Sequence, residues 1–129
     1  MNLLLDTHAL IWWLATPERL SEPARNEIAD PGNGVYVSAA SAWEMAIKTG
    51  LGRLTAQPDL QSWLPARLST ERFVPLPVTL AHALGVERLP FHHRDPFDRI
   101  LIAQANAEGM ALVTRDSAFD RYELRLLRC

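Results

Sequence analysis

Residues 94 to 116 read R-D-P-F-D-R-I-L-I-A-Q-A-N-A-E-G-M-A-L-V-T-R-D, and the succession of elements inside this stretch decides the fold. Asp95 is a good helix N-cap, and Pro96 falls at the first helical position, where a missing N–H costs nothing. Phe97, Ile100, Leu101, Ala103, Gln104, Ala105 and Ala107 continue a helix that Gly109 ends. Met110 to Val113 is an apolar run too short for a helix and suited to a buried strand. Thr114-Arg115-Asp116 closes the unit. A helix that leads through a tight turn into a buried strand is half of an α/β repeat. Two acids frame it, Asp98 in the first helical turn and Asp116 just past the strand.

Outward from this unit the same alternation recurs. Residues 2 to 5, Asn-Leu-Leu-Leu, form a compact apolar strand that ends at Asp6, as a first strand buried on both faces does. Thr7 to Ala15 is an apolar helix carrying the adjacent Trp12 and Trp13, and Ser21 opens a polar one with Pro23 near its start. Val35-Tyr36-Val37 is a second short strand. Ser38 to Gly50 is a helix in which Trp43, Ala46, Ile47 and Gly50 share a stripe expected to face the core. Gly52 to Pro58 reads as a loop. Asp59 to Thr70 is a helix with Leu60, Trp63, Leu64 and Leu68 inward. Pro75 and Pro77 restrict any strand over Phe73 to Val78 to a sheet edge. Thr79 to Gly85 is a short helix, and Leu124 to Leu127 a last strand. The pattern predicts one α/β domain over residues 1–129, a three-layer sandwich with a short, mostly parallel central sheet flanked by helices.

The composition excludes several classes. Hydrophobic residues make up 48% and charged ones 22%, as in an ordinary globular protein. No uninterrupted apolar run approaches the roughly 18 residues that a membrane span needs. The start, M-N-L-L-L-D, has no basic segment and argues against a secretory signal. The single cysteine, Cys129, forms no internal disulfide, which points to a reducing, cytoplasmic setting. The net charge of -2 gives no global footprint for nucleic acid. Twelve of the thirteen cations are arginine, which suits phosphate but equally reflects codon bias.

Three of the acids have a bland reading beside a functional one. Asp98 stands three residues after Asp95, at the N3 position of a capping box, and Asp116 can cap the turn Ser117 to Asp120. Ser41 to Glu44 also matches a capping box, and Glu44 to Lys48 is a favourable i, i+4 pair. The topology offers the other reading. Asp6 follows the first strand, Glu44 lies in the helix after the second, Asp98 heads the helix before the fourth, and Asp116 follows that strand. Right-handed crossovers bring parallel strand ends to one side, so the four carboxylates are expected at one edge. Like charges gathered there repel and raise one another's pKa, and a divalent cation relieves this. Carboxylates and water suit Mg²⁺, with Mn²⁺ as a substitute, rather than zinc. Such an ion activates water and stabilises charge on phosphorus oxygens.

Three segments, L-L-L-D-T-H-A, S-A-A-S-A-W-E-M-A-I-K and D-P-F-D-R-I-L-I-A-Q-A followed by L-V-T-R-D, resemble the PIN domain over essentially the whole chain. More narrowly they resemble the VapC-type toxins of bacterial toxin–antitoxin pairs. The resemblance implies a PIN-like fold and a Mg²⁺-dependent endoribonuclease that cleaves RNA phosphodiesters with a metal-activated water. By that resemblance Asp6, Glu44, Asp98 and Asp116 are the catalytic and metal-binding acids, with Asp6 and Asp98 holding the first ion and the other two completing the site. Thr7 and Thr114 match supporting polar positions, and Asp95 is a second acid within reach. The resemblance also implies a homodimer inhibited by a VapB-type antitoxin in a hetero-oligomer, with Trp12 and Trp13 as candidates for either contact. Arg94, Arg99 and Arg115 are candidates for guiding the RNA backbone. His92 and His93, adjacent in a loop, suit solvent or outer-shell roles better than ligation of one ion. Two other readings of the residues stay open: a receiver-like Mg²⁺-binding signalling domain, and a non-catalytic α/β domain whose acids are all helix caps.

Overall fold

A computed structural model describes residues 1–54 and 59–129 of the chain. The part of the expected Gly52 to Pro58 loop that falls at positions 55–58 lies outside the described residues. The elements in chain order are β1 (Asn2–Leu5), α1 (Thr7–Ala15), α2 (Glu22–Ala29), β2 (Gly34–Ser38), α3 (Ala39–Gly50), α4 (Leu60–Glu71), β3 (Val74–Leu76), α5 (Leu80–Gly85), α6 (Pro96–Glu108), β4 (Ala111–Thr114) and β5 (Leu126–Arg128). Short 3₁₀ turns occupy Pro17–Arg19, Val86–Arg88 and Ser117–Arg121.

Among the described residues five strands form one sheet in the order β3-β2-β1-β4-β5, and each of these pairings is parallel. β1 sits in the middle, and Leu3, Leu4 and Leu5 are each fully buried. Side chains alternate across a strand, so this unbroken apolar run feeds both faces. Leu3 and Leu5 join a core made with Leu10 of α1, Ile28 of α2, Met45 of α3 and Leu68 of α4. Leu4 joins the opposite core, made with Leu101, Ile102 and Ala105 of α6 and closed by Phe119 and Tyr122. Two cores on two faces are the three layers expected from the sequence. Truncating a leucine buried this deeply to alanine costs about 2–5 kcal/mol.

Local chemistry explains the boundaries that matter for the site. The Asp95 carboxylate accepts from the Phe97 N–H at 2.9 Å, Pro96 opens α6, and Gly109 ends it at φ 67°, where a β-carbon would be strained. β3 contains Pro75 and, among the described residues, pairs with β2 alone, so it is an edge strand as its proline requires. Among the described residues no helix is long and apolar enough to cross a membrane.

One expected burial is reversed. The stripe on α3 does not face the core: Trp43 is 63% exposed, Ile47 39%, and Leu51 just beyond them 61%. The opposite face of α3, carrying Ser41, Glu44 and Met45, is the buried one. Helical spacing finds the stripe but does not say which face turns inward. Here Met45 fills the core and Trp43 packs edge-on against Phe97 of α6, at 5.0 Å between ring centres. Trp12 and Trp13 are half-buried against the first core, and the Trp13 indole N–H donates to Glu71 at 3.1 Å.

Candidate metal centre

The strand order reverses direction around β1, between its neighbours β2 and β4, and the crevice beyond the strands' C-terminal ends opens there. Register aligns Leu5 with Val37 on one side and Val113 on the other, so Asp6, Ser38 and Thr114 leave the sheet side by side. α6 runs back against the strands and places Asp98 at the same edge. A cavity of about 170 Å³ is lined there by Asp6, Glu44, Asp98 and Asp116, together with His93 and Lys48. The four acids distant in the chain thus share one pocket.

The capping readings hold for two of the acids. Asp6 accepts from the Ala9 N–H at 2.7 Å at the head of α1, and Asp116 accepts from the Ala118 N–H at 2.9 Å. Each uses one carboxylate oxygen for the cap while its residue still lines the pocket. For the other two the capping boxes are absent. The N-cap of α3 is Ser38, which accepts from the Ala40 N–H at 3.0 Å. Ser41 instead lies inside the helix and receives the Thr7 hydroxyl proton at 3.1 Å, tying α1 to α3 beside the pocket. Glu44 is therefore no cap; it is buried and pairs with Lys48 at 2.8 Å. Asp98 likewise leaves the capping of α6 to Asp95 and turns to His93, with Oδ2 2.6 Å from Nε2.

The electrostatics follow from burial and crowding. Burial pushes the Asp98 carboxyl up to about 6, against the hydrogen bond from His93, with Asp95 and Asp6 adding repulsion. Burial also raises Asp6, while hydrogen bonds from Thr114 and Ala9 and the charge of His8 hold it down. Thr114 serves twice, because its hydroxyl oxygen also accepts from the Asp116 N–H at 3.0 Å. Burial pushes the Cys129 thiol up to about 11, which leaves no thiolate for nucleophilic work. Among the described residues His93, Asp98 and Asp116 form a group that could hold a metal ion, with one potential ligand atom from each within 4.8 Å of the others.

The PIN domain profile matches residues 3–124. The chain is 33% identical over 115 residues to the ribonuclease VapC22 of Mycobacterium tuberculosis, covering 89% of this chain and 87% of that one. The chain belongs to the PIN-domain family, in its VapC branch. Its fold is that of the toxin–antitoxin structure VapBC2 from Rickettsia felis, solved on a promoter DNA fragment, with a TM-score of 0.75 at 19% identity over 100% of this chain and 99% of that one. The DNA-bound VapBC of Salmonella typhimurium gives 0.73 at 16% identity, over 99% and 98%.

Within this PIN fold His93 stands where the expected outer-shell role would put it, while Arg99 plays a part that sequence reasoning missed. His93 faces the acids directly, and its neighbour His92 packs on Tyr122 instead, at 5.2 Å between ring centres. Arg99 is no guide for a ligand: it is buried, and its guanidinium donates to the carbonyls of Pro90 at 3.0 Å, His93 at 3.2 Å and Val86 at 3.2 Å. It also lies 4.5 Å from the centre of the Phe91 ring. Arg99 therefore ties the 86–93 segment over the head of α6 and carries His93 to Asp98. No local pattern signals this, because its partners are backbone carbonyls and the distant Tyr122 hydroxyl. Arg94 is exposed and lines a neighbouring cleft with Asp95, Glu44 and Lys48, while Arg115 borders Asp6 and Asp116. Asp95 lines the acid pocket, but its Oδ1 is taken by the cap of α6.

Proposed function

We propose that the chain is a divalent-metal-dependent endoribonuclease, the toxin of a VapBC-type pair, acting in the cytoplasm on RNA phosphodiesters. The observation that carries this reading is the convergence of Asp6, Glu44, Asp98 and Asp116 on one pocket at the sheet's C-terminal edge. Its donor set fits a hard divalent cation. The donors are carboxylate oxygens, and two of them are raised toward protonation, so a bound cation relieves their burial and repulsion. Asp6 and Asp98 would hold the ion, with Glu44 and Asp116 completing the site directly or through water. Mg²⁺ is the cation proposed, with Mn²⁺ as a substitute. When bound it supplies charge for the phosphorus oxygens and activates water for in-line attack, with 3′-hydroxyl and 5′-phosphate products.

The protein's own residues supply the frame. Thr114 orients Asp6, His93 orients Asp98, and Lys48 offsets the charge of Glu44. The relative named a ribonuclease supports the activity, and the VapBC complexes among the structural neighbours support a VapB-type antitoxin as partner. We read residues 1–129 as one domain that pairs with a second copy. Cleavage of structured RNA with and without EDTA, and by Asp6→Asn and Asp98→Asn, tests the mechanism. Loss of cutting in each case is expected; undiminished cutting in EDTA or in either variant removes the metal reading.

A further inference from the structure

A second cleft, of about 280 Å³, opens beside the acid pocket and shares Asp6, His8 and Asp116 with it. Its outer wall is built from two residues distant in the chain, Trp12 of α1 and Arg115 after β4. The Arg115 guanidinium lies 4.4 Å from the centre of the Trp12 ring, and its Nη2 donates to the carbonyl oxygen of Cys129 at 3.1 Å. Stacked on one side and hydrogen-bonded at one nitrogen, Arg115 is held in place although it stands on the surface. His8, also exposed, sets its imidazole 5.9 Å from the Trp12 ring at a tilt of 35°.

A fixed planar cation over an indole, with a second flat ring alongside, is the chemistry that receives an unpaired nucleotide. Aromatic rings and guanidinium planes stack bases, and guanidinium forks bind phosphate. The cleft is continuous with the acid pocket, so a polynucleotide with one phosphodiester at the acids leaves its next nucleotide here. We propose that Trp12, His8 and Arg115 form a subsite for the unpaired nucleotide adjoining the scissile phosphate. Arg115 grips that nucleotide's phosphate, and its base lies against the guanidinium–indole stack. The subsite rests on the nuclease reading and narrows it to single-stranded or looped RNA, because a duplex keeps its bases inside.

Two measurements test it. The first is steady-state cleavage of a short single-stranded oligoribonucleotide across a salt series. Trp12→Ala raises KM about tenfold with kcat held within about twofold, and Trp12→Phe recovers most of the loss. Arg115→Ala lowers the slope of log KM against log salt by about one. The second is fluorescence anisotropy of the same oligonucleotide on Asp98→Asn protein, which needs no cleavage. Adding Trp12→Ala weakens single-strand binding about tenfold and leaves binding of the matched duplex unchanged. Trp12→Phe reports on any loss of packing, since it keeps a ring against the core. Wild-type KM and salt slope in both variants, with cutting still abolished by EDTA, overturn the subsite and leave the nuclease standing. If the wild type cuts no RNA with Mg²⁺ or Mn²⁺ the nuclease reading fails, and equal anisotropy with and without Trp12 then overturns the subsite as well. Variants that bind RNA normally but lose affinity for a VapB-type partner assign the stack to the antitoxin and also overturn it.

Discussion

α6 carries a histidine–carboxylate pair at each end, and the two pairs are nearly the same length. His93 stands 2.6 Å from Asp98 at its head, and His82 stands 2.8 Å from Glu108 at its tail. Their surroundings differ. His82 is buried, and its Nδ1 accepts the Thr79 N–H at 3.1 Å, so that nitrogen bears no proton and Nε2 donates to Glu108. Gln104 packs beside it, and Glu108 is 41% exposed. His82 closes a capping box with Thr79 at the start of α5, and its bond to Glu108 pins that helix to α6. At the other end the same geometry sits among three further pocket acids and Asp95. A histidine–carboxylate contact thus says little about role; the number of like charges facing it says more.

The sharpest way to break this comparison is to neutralise one carboxylate of each pair. Asp98→Asn is expected to lower kcat/KM for RNA by about a thousandfold, roughly 4 kcal/mol of transition-state stabilisation. Glu108→Gln should stay within about twofold of wild type. Comparable losses in both variants would show that the two ends of α6 do not differ in the way proposed.

The second test exchanges the readout. His82→Ala removes a buried ring and leaves the Thr79 N–H and Gln104 without their acceptor, so it should cost roughly 2–3 kcal/mol of folding stability by denaturant unfolding. Its kcat on the remaining folded protein should match wild type. A drop in kcat without loss of stability would assign His82 to the chemistry.

These contrasts also explain how much the sequence reveals. The cap at Asp95, the stop at Gly109 and the edge strand with Pro75 are local, and local signals find them. Convergence of the acids is legible one step further on, because strand order and crossover handedness predict where Asp6, Glu44, Asp98 and Asp116 must go. Facing is harder. Ser38 and Ser41 both look like the cap of α3, and only the burial of Met45 and Ser41 decides between them. The inward face of that helix is ambiguous for the same reason, since Trp43 and Met45 are both plausible core residues. Least legible are contacts that skip the pattern altogether. Arg99 bonds carbonyls six to thirteen residues upstream, and nothing marks His93 rather than His92 as the ring that turns inward.

His93 itself provides a smaller effect. An outer partner that orients a metal-binding carboxylate is worth about 10–100-fold in metal affinity. His93→Ala should therefore weaken Mn²⁺ binding about tenfold by calorimetry, and His93→Gln, which can still donate to Asp98, by less. The equivalent change at His82 should leave Mn²⁺ affinity unaltered. Equal Mn²⁺ affinities for wild type and His93→Ala would reduce the upper pair to a structural contact like the lower one.

The smallest effect reads the crowding directly, in protein stripped of metal. The Asp98 carboxyl is raised from 3.8 to about 6. Between those values the folded protein holds a proton that the unfolded chain releases, so stability falls as pH rises through that window and stays lowered above it. Asp98→Asn abolishes the charge and should be more stable than wild type at pH 8. The whole shift corresponds to about 3 kcal/mol, but the carboxylate keeps some water and the amide makes a weaker bond to His93, so a gain of about 1 kcal/mol is expected. That is a rise in melting temperature of about 3–6 °C for a domain of this size. The gap should narrow steadily as pH drops from 7 towards 4. Glu108→Gln faces no such cluster, and it should lose a little stability at either pH by weakening its bond to His82. An Asp98→Asn protein less stable than wild type at pH 8 would show that the hydrogen bond with His93 outweighs the repulsion, and that the two ends of α6 are held together by the same kind of contact.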